Sequence, residues 1–185
     1  FFFPNFISKN YKKQCVDNIY EWVSKRLNGK DGLGGIFPAM VNALIAFKID
    51  EKNRYEKQIE ICKEAIDNLI VEKKKIAYCQ PCLSPVWDTG WMGHVLLEQN
   101  ENVDDLVTWF LNKEIKSAGD WNVHKGNLAP GGWAFQFNND YYPDVDDTAL
   151  VGMFLDRYNK NKKTKKVEQS LERTRKWIIS MQSKN

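Results

Sequence analysis

Apolar side chains return every three or four residues along most of this 185-residue chain, a rhythm that only helices can use. Over Tyr11–Leu27 the stripe is Cys15, Ile19, Trp22, Val23 and Leu27, with Gly29 as a stop. Ala39–Ile49 is apolar on most sides, which predicts a buried inner helix. Tyr55–Val71 places Ile59, Cys62, Ile66, Leu69 and Ile70 on one stripe. Thr89–Leu97, Val103–Leu111, Asp147–Tyr158 and Val167–Met181 complete the set. No stretch sustains the alternation of a strand. The expected fold is all-α, with short Gly/Pro turns such as Gly29–Gly35.

A longer period overlies the helical one. Trp22 precedes Leu27 by five and Gly32 by ten; Trp109 stands in the same relation to Glu114 and Gly119. Trp177 precedes Gln182 by five, and the next glycine would fall just past the last residue, so the chain is expected to stop inside a third unit. Each unit reads as a helix closed by a Gly-containing turn. Helix pairs stacked in this way bury their faces on one another, and an array cut short exposes apolar faces. The greasy start Phe1-Phe2-Phe3-Pro4, without an initiator Met, gives the same expectation of a cut at the front.

Charge excludes several classes of function. Lys+Arg 27 against Asp+Glu 24 is close to balance, and the two lysine runs, Lys73–Lys75 and Lys160–Lys166, read as solvated helix ends or loops. No nucleic acid is expected as a partner. The longest apolar run, Ala39–Phe47, is interrupted by Asn42 and is too short to span a bilayer. Of Cys15, Cys62, Cys79 and Cys82, the last two form CQPC. That pattern resembles a dithiol motif, but it lacks the strand-to-helix context the motif needs. Zinc would require further ligands that His94 and His124 are badly placed to supply. Ordinary thiols are the expectation.

The densest chemistry is PDVDD, where Asp144, Asp146 and Asp147 follow Tyr141, Tyr142 and Pro143. As local structure this is a helix start, with Asp144 as N-cap and Asp147 in the capping-box position. A cap explains one or two aspartates. It leaves unexplained the third, and the aromatic run Trp133, Phe135 and Phe137 just upstream.

GGWAFQFNNDYYPDVDDTA (131–149) resembles the signature of squalene–hopene cyclases, the triterpene cyclases that protonate an alkene. RLNGKDGLGGIFPAMVNAL (26–44), QPCLSPVWDTG (80–90) and GDW (119–121) are similar to other parts of the same family in the same order. The tryptophan repeat matches the family's QW repeats in degraded form. Leu27 and Glu114 stand where glutamine is usual and Leu33 where tryptophan is, so those two turns are expected to be less well tied.

The resemblance implies two α/α barrels (toroids of helical repeats) with an apolar cavity between them. Residues 1–80 would end the first barrel and 85–185 would begin the second, the catalytic one. It also implies an isomerase that cyclises squalene, or a similar linear polyprene, to hopene, with hopanol when water quenches the last cation. Neither a metal nor an organic cofactor is implied. The protein would sit in one leaflet of a bacterial-type inner membrane without spanning it, and a homodimer is compatible. The 185-residue chain alone is expected to be inactive and poorly soluble.

By resemblance Asp146 is the proton donor, and Asp144 and Asp147 tune and orient it. An alkene is a very weak base, so the donor must be a dry, neutral acid, and crowding carboxyls together keeps a proton on one of them. A cation that forms in the substrate is stabilised by π-faces, by about 0.5–2 kcal/mol each. Phe135 matches a residue serving early cations, Trp87 a cavity aromatic near the acid, and Ile36 a cavity wall. Core packing is an equal reading for Trp87 and the simpler one for Ile36. Gln136 and Tyr142 match the hydrogen-bonded shell behind the acid. The family's acid-activating histidine is matched by neither His94 nor His124. Two other readings stay open: a cyclase of a different linear terpenoid, and a catalytically silent helical scaffold with an exposed aspartate cluster. A Mg²⁺ site for a diphosphate is a third use of three aspartates, less suited to their aromatic flank.

Overall fold

The computed structural model describes residues 8–50, 53–123, 126 and 128–183, and within them the periodic stretches are helices. They are α1 Lys9–Ser24, α2 Phe37–Ile49, α3 Glu56–Asp67, α4 Pro85–Glu98, α5 Asp104–Lys113, α6 Val145–Lys162 and α7 Lys165–Met181. Phe1–Pro4 and His124 lie outside the described residues. The chain divides into two compact units, 1–83 and 84–185.

In the first unit α2 packs on α3. Met40, Ala65 and Leu69 form one buried cluster, and Ala43, Phe47 and Cys62 form another. The stripe expected along α1 holds in part. Val23 and, just past the helix, Leu27 pack inward as expected and are joined by Tyr20, while Ile19 and Trp22 are exposed. Tyr20 stacks on Tyr55 at 4.7 Å and donates its hydroxyl to the Ala46 carbonyl. Helix α2 is buried on one face only, through Met40, Ala43 and Phe47; Ile45 and Ile49 face solvent, because its described neighbours cover only that side. The turn after α1 is made by glycines. Gly32 adopts φ +58°, and a Cβ there would lie 2.6 Å from both Ala65 Cβ and Met40 Sδ.

One expectation fails here. The helix predicted to Val71 ends at Asp67, and Ile70–Lys73 (β1) pairs antiparallel with Ile76–Cys79 (β2). Leu69 is buried and its carbonyl accepts the Gln80 N–H at 2.8 Å, closing the base of the hairpin. Four-residue strands are too short for a period of two to stand out, and the lysines between them look like a helix end.

In the second unit Val86, Val107, Phe110, Trp133, Phe154, Leu155, Val167 and Leu171 belong to one core. Helices α4 and α6 approach closely at two glycines. A Cβ on Gly90 would meet Leu150 at 2.7 Å, and one on Gly93 would meet Phe154 at 2.8 Å. Glu114, expected to be a weak tie, is the opposite: its side chain is wholly buried and pairs bidentately with Arg173 of α7, both distances 2.7 Å. After α5, Ile115 bridges to Gly132 through a 2.9 Å main-chain bond, which closes the intervening loop at its base.

Candidate active site

Asp144 caps α6 as its sequence suggests. Its backbone is extended, and its Oδ1 accepts the N–H of Asp147 at 3.0 Å. The return arm of the capping box is replaced. The Asp144 N–H donates to the Trp133 carbonyl at 3.0 Å, while Trp133 donates its own N–H to Thr148 Oγ1 at 2.9 Å. The Trp133 indole N–H is held by the Phe110 carbonyl at 2.8 Å. These bonds clamp the 131–135 segment across the first turn of α6. Relieved of capping duty, the Asp147 side chain turns inward. The residue is 1% exposed, and its Oδ1 is buried without a hydrogen-bond partner among the described residues.

One carboxylate oxygen from each of Asp144, Asp146 and Asp147 lies within 4.8 Å of the others. Burial, and then the charge of Asp147, push Asp144 up to about 8, against the pull of the Asp147 N–H. Burial also raises Asp147, to about 6, helped by the charges of Asp146 and Asp88. Asp147 rises less, because the Asp144 carboxyl beside it favours its charged form while the charge of Asp147 opposes that of Asp144. The helix N-terminus favours the charged form by about 0.3–1 kcal/mol, too little to offset burial and crowding. The pair therefore retains a proton near neutrality. The same three oxygens are hard ligands of the kind Mg²⁺ or Ca²⁺ takes, but a cation would first have to displace that proton.

The dryness expected of Asp146 falls on its neighbours instead. Asp146 is exposed, Asp144 half-buried and Asp147 buried. Successive residues on a helix point about 100° apart, so only some of three clustered carboxyls can face inward. The outermost carboxyl is the one that meets whatever lies in front of the helix.

Two main-chain links bring other predicted residues to this end of the unit. The Val86 N–H reaches the Phe135 carbonyl at 3.4 Å, which places Trp87 and Phe135 on neighbouring segments, and Trp133 joins the latter to Asp144. Trp87 and Phe135 are half-buried, and Trp87 meets Trp91 edge-on at 5.9 Å. Gln136 is buried but turned elsewhere. Its Oε1 accepts from Asn139, and it lines a cleft of about 500 Å³ in which none of the three aspartates takes part. Tyr142 is exposed, and its N–H donates to the Asn139 carbonyl. Ile36, in the first unit, is exposed at the start of α2 and bridges to Cys82. All four cysteines are free thiols. His94 faces Leu150 and Arg157, at 3.4 and 3.0 Å.

Asp88 was missed. It stands in the first turn of α4, accepts from Ser84 Oγ at 2.7 Å, and its charge is felt at Asp147. The sequence signal was present in SPVWD, an acid just after a Ser-Pro helix start, but nothing there says which other helix it faces. Thr148 was missed for the same reason.

Residues 83–185 match the family model of the squalene-hopene cyclase C-terminal domain, and residues 2–75 that of the N-terminal domain. A squalene-hopene cyclase of Schizosaccharomyces japonicus is 40% identical over 197 residues, covering 100% of this chain and 29% of the relative. One of Bradyrhizobium diazoefficiens is 39% identical, covering 95% and 27%. An enfumafungin synthase of Hormonema carpetanum is 29% identical, covering 94% and 13%. The chain thus spans less than a third of the length of these relatives.

Proposed function

The chain belongs to the squalene–hopene cyclase family, and from that premise we propose that it carries the proton-donating acid of a triterpene cyclase acting on squalene. Residues 1–80 are the end of one α/α barrel and 85–185 the start of the catalytic one. Asp146 gives its proton to the terminal alkene and becomes a carboxylate, leaving a tertiary cation on the substrate. Successive alkenes attack that cation until the last one loses a proton, giving hopene as an isomer, or adds water and then loses a proton, giving hopanol. Asp144 and Asp147 stand behind the donor and set its acidity. Phe135 and Trp87 offer π-faces to the early cations, and Ile36, Gln136 and Tyr142 shape or brace the cavity. The protein sits peripherally on one leaflet; among the described residues no helix is long and apolar enough to cross a membrane.

The observation that carries this reading is the clustering of three carboxyl oxygens within 4.8 Å, with a buried Asp147 and an Asp144 that holds its proton to about 8. A silent scaffold has no use for such a cap. The likeness to an enfumafungin synthase supports a second reading, the same acid acting on a different linear terpenoid. In the complete protein, Asp146→Asn should abolish cyclised product at an unchanged melting temperature. The amide is nearly isosteric but has no proton to give. Cyclisation of squalene by that variant at near wild-type rate would refute the assignment, and product analysis of the wild type separates the two substrates.

A further inference from the structure

The β1–β2 hairpin carries three consecutive lysines at its tip and apolar side chains along its arms, nearly all of them in solvent. Its register puts Val71, Tyr78, Ile76 and Lys73 on one face, and Ile70, Cys79, Glu72 and Ala77 on the other. Ile76 is 68% exposed, Tyr78 46% and Ile70 42%. Lys74 holds the tip at φ +46°, a left-handed conformation where Asn or Gly would be more comfortable. Turn geometry therefore does not account for lysine at this position. Charge does: Glu72 through Lys75 sums to +2 with no ion pair among the described residues.

Exposed apolar arms on a short hairpin are a liability unless something covers them. The chemistry of the face indicates what does. Ammonium groups on long stems suit phosphate-bearing headgroups, a tyrosine suits the boundary between headgroup and acyl chain, and an isoleucine suits the acyl side. An acidic protein would complement the lysines but would leave Ile76 and Tyr78 without a matching surface.

We propose that the β1–β2 hairpin is a contact for an anionic bilayer surface, with Lys73, Lys74 and Lys75 at the headgroups and Ile76 and Tyr78 dipping below them. The proposal rests on the reading of a peripheral, one-leaflet protein and names the element that makes the contact.

Co-sedimentation of the full chain with vesicles of phosphatidylcholine, with and without phosphatidylglycerol, tests it. Wild type should bind the mixed vesicles and scarcely bind the neutral ones. The triple variant Lys73→Glu/Lys74→Glu/Lys75→Glu should lose about a hundredfold in affinity, from three lysines near a charged surface. Ile76→Ser/Tyr78→Ser should keep the low-salt binding and lose whatever survives at high salt. Lys160→Glu/Lys162→Glu/Lys163→Glu, in the other lysine run, should bind as wild type does. If wild type binds and the hairpin variants bind equally well, the hairpin is the wrong element and the peripheral reading stands. If wild type binds neither vesicle but is retained by polyglutamate, both are wrong. All changes are on exposed side chains, and an unchanged far-ultraviolet circular dichroism spectrum checks that the fold survives.

Discussion

The carbonyl of Trp133 accepts the N–H of Asp144 at 3.0 Å, so the residue that caps the acidic helix is itself held by a buried tryptophan. Thr148 completes the clamp by accepting the Trp133 N–H at 2.9 Å. Thr148→Val keeps the shape and leaves that buried N–H without a partner, which should cost about 1–3 kcal/mol. Thr148→Ser keeps the acceptor and should cost less. Urea unfolding of the two variants checks this; equal midpoints would show that the bond is idle.

The raised acids predict a direction for stability against pH. Asp144 and Asp147 have folded values of about 8 and about 6, above the ordinary 3.8. The folded state therefore binds more protons than the unfolded one across that window. Their contribution is full below about pH 4 and is lost as pH rises through 6 and then 8. Asp144→Asn/Asp147→Asn, which preserves an N-cap acceptor, should flatten the fall in melting temperature between pH 5 and pH 8. Asp147→Asn alone should lower Asp144 only part of the way, because burial is the larger cause. A carboxyl titration followed by infrared spectroscopy measures this.

The Glu114–Arg173 pair predicts an asymmetric double-mutant cycle. Arg173→Met leaves a fully buried carboxylate with Lys116, 4.0 Å away, as its remaining cation and should cost about 3 kcal/mol. Glu114→Gln should be far milder, and the double variant should recover much of the loss from Arg173→Met. A double variant no better than Arg173→Met would mean that the arginine acts through packing.

Gly93 predicts a steric penalty with a specific cure. A Cβ there would sit 2.8 Å from the Phe154 ring and 2.9 Å from Leu106, so Gly93→Ala should cost about 1–3 kcal/mol despite its better helix propensity. Phe154→Leu should be less harmful in the Gly93→Ala background than alone. Purely additive melting temperatures would contradict the close approach.

Much of this was legible in advance, for physical reasons that can be named. Helices such as α2 and α7 announce themselves because their apolar spacing runs over three or more turns. Asp144 as cap needs only its neighbours, and so does the glycine turn around Gly32. The hairpin was hidden because each strand is four residues long. The burial order of the aspartates was hidden because it depends on which side of α6 meets the core, a fact supplied by Trp133 and Thr148. Glu114 looked like a weakened repeat only because its partner, Arg173, is 59 residues away.

The bridge between Ile115 and Gly132 bears on how the chain tolerates remodelling. A segment pinned together at its two feet confines the strain of a change in length to the pins, one residue before Trp133 and the clamp on Asp144. Its composition is less free, since Gly119 lies against the Tyr141 main chain and Trp121 meets Trp177 edge-on at 6.0 Å. Added residues that leave Gly119 and Trp121 in place should thus be absorbed without re-aiming the acids. A single added residue between Gly132 and Asp144 lies on the wrong side of the pin and has no such shelter.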